Sequence, residues 1–196
     1  MEKEKDDQQK SEMKTKKIIG LVMLIVIGGL VLLTFVLYST IKTKSTDISK
    51  YAPYNNWIGK TVTLDKQTVL VMEKARLNGD KSYPYLLLDS LHPDWQYLEE
   101  REKNGDYTKV VVFPAGLKLH IKKAIQFTGG VSGNSTPMIF GTLFHNGKEY
   151  KTGYQWGQRQ IARYMDKIKE CWHFHRAPWQ TRPDTVFYAL PDAQWW

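Results

Sequence analysis

The run IIGLVMLIVIGGLVLLTFVLY, residues Ile18–Tyr38, decides the architecture. Its 21 positions contain no charge and no proline. As a helix rising about 1.5 Å per residue, such a run spans about 30 Å, the thickness of a bilayer's hydrocarbon core. Backbone groups in lipid have no water to bond, so a lone spanning segment satisfies them as a helix. A cleaved signal peptide is the competing reading. Its apolar region is usually about 7–15 residues long and ends at a small-residue cleavage site. Here the run continues into Leu37-Tyr38-Ser39-Thr40-Ile41-Lys42, which has no such site. No cysteine lies near its end, which excludes a lipoprotein site. The sequence therefore predicts an uncleaved signal anchor: one transmembrane helix at residues 18–38.

Working outward, residues 1–17 carry six lysines among Glu2, Glu4, Asp6, Asp7 and Glu12. They have nothing to bury, and a disordered cytoplasmic tail is expected. Lys3, Lys5, Lys10, Lys14, Lys16 and Lys17 precede the span, against Lys42, Lys44 and Lys50 up to Pro53. Lysine bias of this sign predicts the N-terminus inside and the C-terminal domain outside. The expected location is a bacterial inner membrane, single-pass, with a periplasmic domain in the cell envelope. Residues 39–52, rich in Ser, Thr and Lys, read as a spacer.

The remaining residues, 53–196, form the expected extracytoplasmic domain. Overall the chain has 196 residues, a net charge of +8 and one cysteine, so no internal disulfide framework exists. A mean hydropathy of −0.46 excludes a multi-span protein. The domain holds all seven Trp and 23 aromatics in total. Several segments have the two-residue alternation of strands. Leu117–Phe127 is the clearest, with Leu117, Leu119, Ile121, Ile125 and Phe127 on one face and Lys118, His120, Lys122 and Gln126 on the other. Lys123 falls on the apolar parity, which predicts a bulge, an edge or a strand end. Asn146-Gly147, between two β-rich runs, predicts a type I′ hairpin. Asn78-Gly79 marks another turn. The domain is thus expected to be mainly β, a small SH3-like or OB-like barrel over about 57–156. An amphipathic helix is expected over about 158–172, with Ile161, Tyr164, Met165, Ile168 and Trp172 as its apolar stripe. A second short helix is expected from Pro93 to Lys103. An extended aromatic arm, residues 177–196, follows.

Candidate chemistry is sparse. Cys171, His173 and His175 share one face if extended, and thiolate with imidazole is a fair zinc set. The spacing fits no common site, so these form only a weak metal candidate. Gly129-Gly130-Val131-Ser132-Gly133 lacks the second glycine of a nucleophile elbow. No nucleophile, base and oxyanion donor combine credibly, so neither an enzyme nor a cofactor is expected. Arg159, Arg163 and Lys167 recur every four residues opposite the apolar stripe, and Lys118 and Lys122 lie on the polar face of the best strand. These five are the candidate basic patch for an acidic partner. Trp179, Trp195 and Trp196 are the candidate binding aromatics. The expected function is a membrane-anchored protein-protein interaction module, either an envelope or secretion complex subunit or an immunity protein against a toxin. The alternative is a cell-wall or anionic glycan binder, with a metal-dependent enzyme behind both. Nucleic acid is not an expected partner for a domain outside the cytoplasm.

Overall fold

The computed structural model describes the backbone of residues 2–74 and 79–193, and within these the side chains from residue 16 onward. The chain divides into two units, residues 1–42 and 43–196.

The first unit is helix α1, Glu2–Ile41. Its Lys16–Ile41 portion is long and apolar enough to cross a membrane. Two polar side chains in this portion bond within the helix: Thr34 donates to the Leu30 carbonyl and Thr40 to the Val36 carbonyl, each at 2.8 Å. That removes two hydroxyls from competition for solvent. The helical backbone begins at Glu2, within the segment expected as a tail. Glu, Lys, Gln and Met are strong helix formers, and extending an existing helix avoids the nucleation step.

The second unit is a mainly β domain. Its strands are β1 Lys44–Asp47, β2 Thr61–Thr63, β3 Thr68–Glu73, β4 Tyr85–Leu88, β5 Tyr107–Phe113, β6 Lys118–Thr128, β7 Ser135–His145, β8 Lys148–Gln155, β9 Gln158–Arg159 and β10 Trp172–His173. Helix α2 is Leu98–Lys103 and α3 is Ile161–Met165. The main sheet runs β1-β6-β7-β8-β4-β3-β5, with β2 also paired to β6. It is mixed, because β4 and β8 pair in parallel while the other neighbours are antiparallel. The pair β9–β10 forms a second, two-stranded sheet.

This sheet does not close into the expected SH3-like or OB-like barrel. The physical reason lies in its two separate cores. On β3, Leu70 joins one buried cluster while Val69 and Val71 join another. On β4, Leu87 goes to the first and Leu86 and Leu88 to the second. Apolar residues on both faces of adjacent strands require cover on both faces, whereas a small barrel packs one interior.

The β6 parity breaks where Lys123 marked it. The β6–β7 register shifts between Ile121 and Lys123, so Lys122 is the extra residue of a bulge. A bulge swaps the faces beyond it. Leu119, Ile121 and Ala124 therefore enter the first core, and Ile125 and Phe127 serve the second. The single apolar face expected for this strand is thus two half-faces. Opposite the bulge, a Cβ on Gly141 would lie 2.5 Å from the His120 carbonyl oxygen, so only glycine fits there. The predicted type I′ hairpin is present, with Asn146 at φ 50° and Gly147 at φ 74° between β7 and β8. The Asn78-Gly79 turn lies at the boundary of the described residues, since 75–78 fall outside them.

The expected spacer is not free chain. Residues 44–47 form edge strand β1 on β6, and Ile48 is fully buried, so the domain begins at residue 43. Its alternation of Lys44, Ser45, Thr46 and Asp47 suits an edge, where polar side chains face solvent. The segment expected as a helix from Pro93 to Lys103 is a 3₁₀ turn at Trp95–Tyr97 followed by α2.

Candidate functional site

The helix expected over 158–172 is replaced by β9, the five-residue α3 and β10. Lys167 adopts φ 58°. The Lys167 amide bonds the Tyr164 carbonyl at 3.0 Å and the Ile168 amide bonds the Arg163 carbonyl at 2.9 Å. This pair of bonds is a Schellman closure, which stops the helix after little more than one turn. Its apolar stripe therefore never lies along the core. Ile161 is 64% and Met165 71% exposed, and Tyr164 and Ile168 are exposed too, while Trp172 alone is buried at 2%.

The exposed stripe borders a groove of about 650 Å³. Trp172 and Arg159 line it, with Tyr164, Met165 and Ile168 from the α3 segment and Leu190 and Pro191 from the returning chain. Arg159 lies 4.3 Å from the Tyr164 ring centroid and 5.0 Å from that of Trp172, within cation–π range. Its Nη2 donates to Ser135 Oγ at 3.1 Å, and its Nε has no hydrogen-bond partner. Lys167, Lys169 and Asp192 also line it. The chain returns past this groove because Trp172 and Tyr188 form a bridge and Gln126 Nε2 donates to the Pro191 carbonyl at 2.9 Å.

Of the five expected basic residues, the structure brings Arg159 and Lys167 to this groove. Arg163 instead sits over the Phe187 ring at 4.4 Å and donates through Nε to the Glu170 carbonyl at 2.7 Å. Lys118 and Lys122 lie on β6, at its start and in its bulge, and do not line the groove. Trp179 is not a surface aromatic: it is 7% exposed and packs against Trp57, Tyr154 and Trp156. Trp195 and Trp196 lie outside the described residues.

The weak metal candidate is not assembled. Cys171 is buried in the first core, His173 stands beside Phe187, and His175 turns toward Tyr154. Among the described residues, no three His, Cys, Asp or Glu side chains are grouped to hold a metal ion.

A second polar constellation, absent from the sequence reading, is buried around Tyr154. Tyr154 Oη donates to Asp89 Oδ1 at 2.9 Å and lies 2.9 Å from His175 Nε2. One hydroxyl carries one proton, so His175 Nε2–H is the donor of the second bond. His92 packs edge-on against Tyr154 and against His175. The Asp94 amide donates to His92 Nδ1 at 3.1 Å. That bond places the His92 proton on Nε2, so neither ring nitrogen is free to ligate a metal. Burial holds both imidazoles neutral, with pKa values lowered to about 3 for His92 and, aided by the neighbouring His92 and His173, for His175. Burial also raises the Asp89 carboxyl, an effect the Tyr154 hydrogen bond opposes. The Tyr154 phenol is pushed well above its ordinary value, by burial first and then by Asp89. Asp89 Oδ2, His92 Nε2, His175 Nδ1 and Trp179 Nε1 are buried without a partner. Asp89, Tyr154 and His92 are all at most 3% exposed, whereas His175 is half-buried, so of these four side chains only His175 reaches solvent. No sequence pattern announced it, because its members are separated by up to 86 positions.

Compared with protein families, curated proteins and solved structures, the chain matches none.

Proposed function

We propose that this chain is a single-pass membrane protein whose β domain is a binding module for another protein of the cell envelope. In this reading α1 is the anchor, residues 1–17 face the cytoplasm and the domain lies in the periplasm of a bacterial cell. The length and apolar character of Lys16–Ile41 and the six-to-three lysine bias support that topology. The single observation that carries the function is the exposed surface of α3. Ile161, Tyr164, Met165 and Ile168 present apolar area beside Arg159, Lys167 and Lys169. A contiguous apolar patch with a charged rim is the anatomy of a protein interface.

Binding is favoured over catalysis because three of the four titratable groups around Tyr154 with displaced pKa values, Asp89, His92 and Tyr154 itself, are buried away from any substrate. Binding a protein is favoured over binding a glycan because sugar recognition uses exposed aromatic faces. Every described Trp is buried or half-buried, and of the domain's exposed tyrosines Tyr51, Tyr97 and Tyr164 only Tyr164 lines the groove, where Arg159 already stacks on its ring. An envelope complex subunit and an immunity protein both remain within this proposal. Affinity capture of the intact chain from solubilised membranes tests it. A stoichiometric protein partner is expected with the wild type and absent with Met165→Asp/Ile168→Asp. Recovery of purified peptidoglycan with no protein partner would overturn the reading in favour of glycan binding.

A further inference from the structure

We infer that the groove between α3 and residues 189–192 receives an acidic peptide segment carrying bulky apolar side chains, contributed by the partner protein. The inference rests on the protein-binding reading above and specifies the chemistry of that partner.

Charge complementarity identifies the occupant. Three cations, Arg159, Lys167 and Lys169, line the groove against one carboxylate, Asp192. Among the described residues neither lysine nor Arg159 is in an ion pair. Guanidinium and ammonium groups left unpaired at an apolar site favour a carboxylate brought in with apolar groups. The walls supply the apolar half through Tyr164, Met165, Ile168 and Leu190. Methionine is well suited to such a wall, because its unbranched, polarisable side chain adapts to the shape inserted.

Concavity separates a peptide from a lipid surface. A bilayer is met by protruding apolar groups that enter it, whereas this site is a recess with the Trp172 ring in its lining. The volume of about 650 Å³ is large enough for a few side chains. The exposed Ile161 gives a longer segment further apolar area beyond the groove.

The test uses the full chain in nanodiscs of zwitterionic lipid and fluorescence anisotropy of short labelled peptides. One peptide alternates Glu with Leu and Trp; a second replaces each Glu by Lys; a third replaces the apolar residues by Ser. The first is expected to bind saturably and the other two at least about tenfold more weakly. Lys167→Glu/Lys169→Glu and, separately, Met165→Asp are each expected to weaken the first peptide about tenfold or more. All three positions are exposed, and unchanged circular dichroism verifies that the variants fold. Equal binding of the Glu and Lys peptides, or unaltered binding by both variants, would overturn the inference. Lysine-dependent binding to phosphatidylglycerol vesicles, with no peptide binding, would reassign the groove to lipid. The two readings fail separately. A captured partner that survives Lys167→Glu/Lys169→Glu refutes the groove and leaves the binding module standing. Peptide binding without any captured partner does the reverse.

Discussion

Two regions of the domain use the same kinds of residue to opposite ends. Around Trp156 and Tyr154, aromatic and imidazole side chains are driven inward. Trp156 meets Tyr54, Phe174 and Trp179 at centroid distances of 5.5, 5.0 and 5.6 Å, and donates its indole proton to the His175 carbonyl at 2.8 Å. On α3, by contrast, Ile161, Tyr164, Met165 and Ile168 are left outside beside Arg159 and Lys167. The difference teaches that aromatic abundance marks the core here, and that the exposed apolar surface is mainly aliphatic with basic neighbours. Substitutions in the two regions should therefore separate stability from binding.

The largest expected effect is acid sensitivity of the inner region. His92 and His175 have folded pKa values near 3, below the ordinary 6.5. A lowered folded pKa means that the unfolded chain binds more protons below pH 6.5. Stability is therefore full above pH 6.5 and declines as pH falls towards 3, by up to about 1.4 kcal/mol per pH unit for each histidine. Asp89, whose pKa is raised, binds its proton earlier in the folded state and offsets part of this loss as pH falls. Urea titrations of the intact chain between pH 7 and pH 4 should show a loss of several kcal/mol. A flat profile would contradict neutral, buried imidazoles.

Next in size, Trp156→Ala empties the centre of the first core and should cost about 3–5 kcal/mol, read as a shift of the urea midpoint. Tyr154→Phe is smaller. It removes one hydroxyl and leaves Asp89 Oδ1 and His175 Nε2 without their shared partner, at about 1–3 kcal/mol. A neutral outcome would mean that these atoms find other partners. The smallest stability effect belongs to the outer region: Met165→Asp should move stability by no more than about 0.5 kcal/mol while abolishing partner capture. A large destabilisation there would make α3 part of the core and erase the contrast.

The sequence carried the long apolar N-terminal helix, the β character of the domain, the Asn146-Gly147 hairpin and the irregularity at Lys123. Each rests on a local signal: an uncharged run, a two-residue period, a turn dipeptide or a charge on the wrong parity. It misled where local pattern and tertiary pairing compete. Ile161, Tyr164, Met165, Ile168 and Trp172 have helical spacing, yet Lys167 in a left-handed conformation stops the helix and only Trp172 reaches the core. Lys44–Asp47 reads as spacer by composition, but β6 offers an edge that captures it as a strand. The open sheet was illegible because the β4–β8 pairing joins residues 67 positions apart. At the groove, Arg159 and Lys167 were picked out on the spacing of a helix that does not form: Arg159 lies on β9 and Lys167 in the turn that ends α3. Lys169, Leu190 and Pro191 were not picked out, since the return of the chain through the Trp172–Tyr188 bridge brings the second wall into place.

Methionine oxidation tests the central claim most directly, because three methionines of the domain sample three environments. Met165 is 71% exposed on α3, Met72 is 46% exposed on β3, and Met138 is buried at 3%. Sulfoxide formation follows exposure. In the purified chain Met165 should oxidise faster than Met72, and Met138 slowest. In native membranes that contain the partner, Met165 should be protected while Met72 keeps its rate. An unchanged ratio of Met165 to Met72 oxidation between the two preparations would contradict the assignment of the α3 surface as the binding site.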